Sequence, residues 1–235
     1  MRVRKRFGQN FLTDRSTIQR IIGAINPRPG DHIIEIGPGR GALTESLVQS
    51  GCDLTTIEID RDLAAELTVR FPGLTLVLAD VLTVDFDALC AGQRLRIVGN
   101  LPYNISTPLL FKLFLHGPRI IDMYFTLQLE VVERMIAKPS NKNYGRLSIM
   151  TQYHCHPEQL FEVPSAAFTP SPKVTSAVVQ LRPRPAAVPA IDLGILEKLV
   201  TGAFSQRRKT IRNALKPFLS SEELVHLALD PGLRP

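Results

Sequence analysis

Residues 32–41 read His-Ile-Ile-Glu-Ile-Gly-Pro-Gly-Arg-Gly. An apolar run of strand length stops on alternating glycines, and residues 42–50 then follow a helical pattern. This strand, glycine loop and helix constrain the fold more than any other stretch. A strand apolar along its whole length is buried on both faces, as in a parallel sheet covered by helices. Glycines let the backbone approach a ligand closely, and the N-terminus of the following helix favours negative charge. A ligand is therefore expected at the carboxyl end of this strand.

The rest of the chain alternates in the same way. Ile18, Ile21, Ile22 and Ile25 mark one face of a helix over 15–25, which Asn26-Pro27-Arg28-Pro29-Gly30-Asp31 stops. Strands are predicted at 54–59, 74–79, 95–98 and 120–129, with helices at 61–70, 106–115 and 130–138. A polar loop follows around 140–143, then strands near 158–163 and 174–181. Alternation of this kind means an α/β protein with a parallel or mostly parallel sheet. Residues 182–189 hold three prolines in eight residues and read as a linker. Beyond it the apolar spacing is only helical. Two units are expected: 1–183, and a small helical unit 184–235 that packs on the first because it is too short to be very stable alone.

The 235 residues are 44% hydrophobic and 21% charged, which excludes disorder over the whole length. No window approaches 18 consecutive apolar residues, and the basic N-terminus lacks the apolar stretch of a secretory signal. Cys52, Cys90 and Cys155 are too scattered for a disulfide framework or a zinc site, and a reducing cytosol is expected. His154-Cys155-His156 on a strand would split its ligands between two faces, so no metal is expected. A net charge of +6 favours a polyanionic partner, nucleic acid before membrane. The positive charge gathers at Arg2, Arg4, Lys5 and Arg6, and again at Arg207, Arg208, Lys209 and Arg212.

Gly37, Gly39 and Ala42 satisfy the pattern G-x-G-x-x-G/A, which by itself does not separate a nicotinamide cofactor from S-adenosylmethionine. Two carboxylates narrow the choice. Glu58 ends the second strand, where it can accept hydrogen bonds from both hydroxyls of a ribose. Asp80 ends the third and can accept from an adenine amine. Together they outline a nucleoside pocket. The fourth strand runs into Asn100-Leu101-Pro102-Tyr103. An exocyclic base amine is a poor nucleophile because its lone pair is delocalised into the ring. Acceptors from Asn100 and the Leu101 carbonyl can hold its hydrogens and draw the nitrogen toward tetrahedral geometry. Pro102 fixes the turn, and Tyr103 offers a ring on which a flipped base can stack.

Asn100-Leu101-Pro102-Tyr103 resembles the [Asn/Asp/Ser]-x-Pro-[Tyr/Phe/Trp] motif of adenine-N6 methyltransferases. Phe7-Gly8-Gln9-Asn10-Phe11-Leu12, Phe168-Thr169-Pro170-Ser171-Pro172-Lys173-Val174 and Phe204-Ser205-Gln206-Arg207-Arg208-Lys209-Thr210-Ile211-Arg212-Asn213 are similar to motifs of the ribosomal RNA adenine dimethyltransferases, the KsgA family. The resemblance runs from about residue 5 to the end, in the family's order. It implies a Rossmann-like, seven-stranded class I methyltransferase sheet with its last strand antiparallel, plus a small α-helical C-terminal domain. It also implies roles. Gln9, Asn10 and Leu12 would fold over the methionine and ribose end of S-adenosylmethionine, and Gly37 and Gly39 would line its methionine part. Glu58 would hold the ribose and Asp80 the adenine amine, with Val81 beside it. Asn100 would touch both cofactor and substrate amine, and Phe168 would stack on the target base opposite Tyr103. Arg4, Lys5, Arg6 and the second basic cluster would bind RNA.

The family's reaction dimethylates two adjacent adenines near the 3′ end of small-subunit ribosomal RNA. The partner so implied is that RNA within the immature small subunit, met by a monomer in the cytoplasm. The family's C-terminal phrase usually leads into another helix beyond Pro235, so truncation of the C-terminal domain is expected. Three other readings stand beside this one: a large-subunit RNA methyltransferase of the macrolide-resistance type, an RNA-binding assembly factor whose catalysis is dispensable, and a nicotinamide dehydrogenase. The last has no use for Asn100 to Tyr103.

Overall fold

The computed structural model describes residues 10–90, 92–184, 192–226, 230 and 232–235. Along the chain run β1 (Phe11–Leu12), α1 (Arg15–Ile25), β2 (His32–Ile36), α2 (Thr44–Gln49), β3 (Asp53–Glu58), α3 (Arg61–Arg70), β4 (Thr75–Leu78), α4 (Phe86–Cys90) and β5 (Leu95–Asn100). Then come α5 (Ser106–Phe114), β6 (Ile120–Gln128), α6 (Leu129–Ile136), α7 (Arg146–His154), β7 (Cys155–Val163), β8 (Phe168–Thr169) and β9 (Ser176–Pro183). The C-terminal part holds α8 (Leu193–Ser205), α9 (Ile211–Leu215) and α10 (Ser221–His226). A seven-stranded sheet has the order β4-β3-β2-β5-β6-β9-β7. Neighbours from β4 to β6 pair in parallel, and β9 runs antiparallel to both β6 and β7.

The apolar runs of the sequence become the core because successive strand residues point to opposite faces. Ile34, Ile97 and Phe125 join one buried cluster with Leu109, Leu110 and Leu113 of α5. Their immediate neighbours Ile33, Val98 and Tyr124 join a second cluster with Ile21 and Ile25 of α1 and Leu47 beside them. Each buried aliphatic side chain contributes roughly 1.5–3 kcal/mol, so both faces of the sheet are held. α1 begins where Asp14 accepts the Thr17 amide at 2.8 Å and ends on Asn26 in the left-handed region, φ 47°. Three short bonds from Ser16 and Thr17 hold the Asp14 carboxyl down at about 2.

Several expectations need correction. His154 closes α7, and only Cys155 and His156 belong to β7, so the three do not lie on one strand. The His154 ring stacks on Phe114 at 5.2 Å, and burial lowers its pKa. The proline-rich stretch starts later than expected, because Arg182 and Pro183 still pair with β7. Residues 185–189 of the expected linker lie outside the described residues. α4, α7 and the two-residue pair of β1 with β8 are elements the periodicity did not indicate. Cys155 is buried as expected, and Cys52 only half so.

Candidate active site

The parallel strands end on one edge, and their ends surround a cavity of about 280 Å³. Asn10, Leu12, Gly37, Gly39, Glu58, Asp80, Val81, Asn100, Leu101, Pro102 and Tyr103 all line it. These are eleven of the thirteen residues expected to bind cofactor or act on the base. Gln9 lies outside the described residues. Phe168 is not among the walls.

Gly37 and Gly39 turn the loop after β2 with φ of 66° and 58°, a region that side chains with a Cβ rarely adopt. Gly37 stays tied to β3 through its N–H on the Ile57 carbonyl at 2.9 Å. The Gly39 amide points at Glu58 and donates to its Oε2 at 3.1 Å. Oε1 of Glu58 accepts from the amides of Ile59 and Asp60, both at 2.9 Å. Glu58 is 4% exposed, and burial raises its pKa against these three donors. The carboxylate is therefore held in one orientation, with a lone pair remaining on Oε2. Asp80 is exposed at the cavity rim, where Oδ1 accepts the Leu82 amide at 2.9 Å. No described hydrogen bond uses its Oδ2.

Asn100 ends β5. Its Nδ2 donates to the Asn10 carbonyl at 2.9 Å, which fixes the amide so that Oδ1 is the free end. Tyr103 is half-buried, and its hydroxyl bonds the wholly buried Ser176 Oγ at 2.9 Å. Its ring is thereby anchored from the first residue of β9.

The structure adds residues that sequence reasoning missed. Gly99 precedes Asn100, and a Cβ there would stand 2.5 Å from the Ile36 carbonyl oxygen. Only glycine lets β5 pass this close to the end of β2. Phe11, between two residues that were singled out, covers the glycine loop: a Cβ on Gly39 would meet its ring at 3.1 Å, and Arg40 sits over that ring at 4.8 Å. Glu35, 2% exposed, also lines the cavity and accepts from Thr44 Oγ1 at 2.6 Å. Burial, with Glu58 nearby, raises its pKa to about 7. An acidic residue inside an apolar strand run was the available signal.

Phe168 and the basic cluster are not among the residues that line the cavity. Phe168 is 4% exposed, paired with Leu12 across β1 and β8 and packed in the second core cluster. Its ring is covered by this packing. The apolar spacing beyond 189 is helical, but the basic cluster does not lie on one helix. Arg207, Arg208 and Lys209 form the turn between α8 and α9, and Arg212 opens the next helix. Arg207, Arg208, Lys209 and Arg212 are all exposed, and Arg207 also donates to the carbonyls of Lys142 and Tyr144 at 3.2 and 2.6 Å. Arg4, Lys5 and Arg6 lie outside the described residues.

The family model for ribosomal RNA adenine dimethylase matches residues 1–230. The chain belongs to the ribosomal RNA adenine dimethylase family. Among curated relatives it is 54% identical over 240 residues to ribosomal RNA small subunit methyltransferase A of Pseudomonas aeruginosa, covering 100% of this chain and 89% of that protein. The counterpart in Thiobacillus denitrificans is 53% identical, with 98% and 91% covered. Among solved structures, a dimethyladenosine transferase from Plasmodium falciparum superposes with a TM-score of 0.78 at 29% identity, covering 93% of this chain and 78% of that one. The 23S rRNA methyltransferase ErmE gives 0.73 at 30% identity, with 95% and 92% covered. The adenine dimethylase fold here is thus the class I methyltransferase fold, and the chain is a methyltransferase.

Proposed function

We propose that the chain uses S-adenosylmethionine to dimethylate the N6 amines of two adjacent adenines near the 3′ end of small-subunit ribosomal RNA, acting on the immature subunit as a monomer in the cytoplasm. The observation that carries this reading is the oriented Asn100 amide. Its Oδ1 is left free in the same cavity that Glu58 and Asp80 line from neighbouring strand ends.

The cavity fits the cofactor. The glycine loop leaves room for backbone approach, Glu58 Oε2 retains a lone pair for the ribose hydroxyls, and Asp80 Oδ2 suits the adenine amine beside Val81. Asn10 and Leu12 close the methionine side. When bound, S-adenosylmethionine supplies an electrophilic methyl group. The chain's own residues do the rest. Asn100 Oδ1 and the Leu101 carbonyl accept the amine hydrogens and favour a tetrahedral nitrogen. Tyr103, held by Ser176, stacks on the flipped base. Phe168 shapes this wall through β1 and gains a direct stacking role only if the β1–β8 contact opens.

Residues 1–183 serve as the catalytic unit and 184–235 as a helical RNA-facing unit. The second is clamped by the Arg207 bonds and by the Arg146–Glu197 ion pair. Its exposed Arg208, Lys209 and Arg212 are the RNA contacts, together with Arg4, Lys5 and Arg6. The full-length relatives named for the small subunit, more than 50% identical, favour that RNA over the large-subunit RNA of the 30%-identical structure. A role in small-subunit assembly follows from the same partner. Equilibrium titration with S-adenosylmethionine and NAD tests the cofactor: saturable binding of the first alone is expected, and binding of NAD alone overturns the reading.

A further inference from the structure

The loop that follows β4 has no ladder or helix to engage its carbonyls. Three of them converge instead on one ammonium group. Lys112 Nζ, from α5, donates to the carbonyls of Val81 at 3.2 Å, Leu82 at 2.8 Å and Val84 at 2.5 Å. A lysine has three N–H donors, so all of them are engaged. The same ammonium stands 5.4 Å from the Phe86 ring centroid. The loop's donors turn the other way, toward Asp80. Leu82 N bonds the Asp80 carboxylate, while Thr83 N and Oγ1 both bond the Asp80 carbonyl at 2.8 Å. Asp80 is thus oriented by a loop whose opposite side is gathered by Lys112. Without the cation, three carbonyl dipoles crowd together with no donor, and bonds to a charged group are the stronger kind.

α5 is also the helix that the base-binding motif opens, since Ser106 Oγ caps the Tyr103 carbonyl at 3.1 Å. One side chain therefore ties the target-base side of the cavity to the rim that carries Asp80.

We infer that Lys112 is a positioning residue: it holds the 80–84 loop so that Asp80 reads the 6-amino group of the cofactor's adenine. This rests on the cofactor reading above. The probes are S-adenosylhomocysteine and its inosine counterpart, in which the amine is replaced by a carbonyl oxygen. Wild-type protein is expected to prefer the adenosine form at least tenfold, because a site built to accept from an amine rejects an analogue without it. In Lys112→Met, binding of S-adenosylhomocysteine should weaken about tenfold, equivalent to ~1.4 kcal/mol, while the inosine form changes less than twofold. Lys112→Arg should restore much of the preference.

A merely structural lysine moves both affinities together. An unchanged preference in folded Lys112→Met therefore overturns the inference. Lys112→Gln, which keeps two donors without the charge, serves if the methionine variant does not fold, with a partial loss of preference expected. Failure of both to fold overturns the inference in favour of a purely structural role. A wild-type protein that binds neither probe refutes the cofactor reading itself, and does so before any substitution is made.

Discussion

The two ends of the parallel strands carry buried charge in opposite ways. At the amino ends, Arg96 of β5 is 8% exposed, with all three guanidinium nitrogens engaged. It makes a bidentate pair with Asp122 of β6 at 2.9 and 3.0 Å, reaches Asp31 at 2.7 Å and donates to the Ile25 carbonyl at 2.6 Å. At the carboxyl ends, Glu58 and Asn100 are equally well oriented but keep acceptor capacity free. A saturated polar network holds the sheet together, whereas an oriented but unsaturated one is ready for a ligand. The same residue types serve both purposes, and only their partners tell them apart.

Substitutions that attack one end and spare the other break this comparison, if it is wrong. The largest effect is expected at the closed end. Arg96→Met leaves two carboxylates without their cation and should cost about 3–5 kcal/mol in urea unfolding, while the folded fraction binds cofactor as before. Next comes Asn100→Ala. Loss of a preorganised acceptor should lower methyl transfer at least roughly 10²-fold with an almost unchanged unfolding midpoint. Transfer within a few-fold of wild type would remove the role assigned to this amide.

Glu35 belongs to the open end yet is buried, with its pKa raised from 4.5 to about 7. A carboxyl raised on folding favours the fold while protonated, so its contribution is full below about pH 4.5 and is lost as pH rises through about 7. Glu35→Gln keeps an acceptor for Thr44 and removes this titration. Above pH 7 it should be favoured over wild type by on the order of 3 kcal/mol relative to the comparison at low pH. Parallel stability curves for the two proteins would contradict this. The smallest effects belong to the basic turn. Arg208→Gln with Arg212→Gln should lower the slope of log K for RNA against log salt by roughly 0.7–0.9 per residue, at constant cofactor affinity. Arg207→Gln should leave that slope almost unchanged and loosen the packing of α8 instead, because its guanidinium already holds two carbonyls.

Much of this was legible in the sequence. The helices Arg15–Ile25 and Arg61–Arg70 match their apolar periods to the residue, and the strands from 32–36 to 120–128 follow their β-branched and aliphatic runs. What escaped had a physical reason. α7 buries Ser148 and Thr151 alongside Leu147 and Met150, so its inner face does not read as apolar. Ser148 can be buried because it donates to the Arg134 carbonyl and accepts from the Gly145 amide, partners distant or invisible in a linear pattern. The pair of β1 and β8 is two residues long, below any periodicity. Phe168 shows the limit of a motif: its residue type suits stacking on a base, but 4% exposure is a property of the strand that covers it.

The base that carries the methyl groups tests the central claim most directly. Purified protein is given methyl-labelled S-adenosylmethionine with a mixture of unmethylated small-subunit particles and large-subunit RNA, and the labelled positions are mapped by mass spectrometry. The expected result is label on N6 of two adjacent adenines near the 3′ end of the small-subunit RNA, and none there with Asn100→Ala. Label confined to the large-subunit RNA, or on any atom other than an adenine N6, contradicts the account.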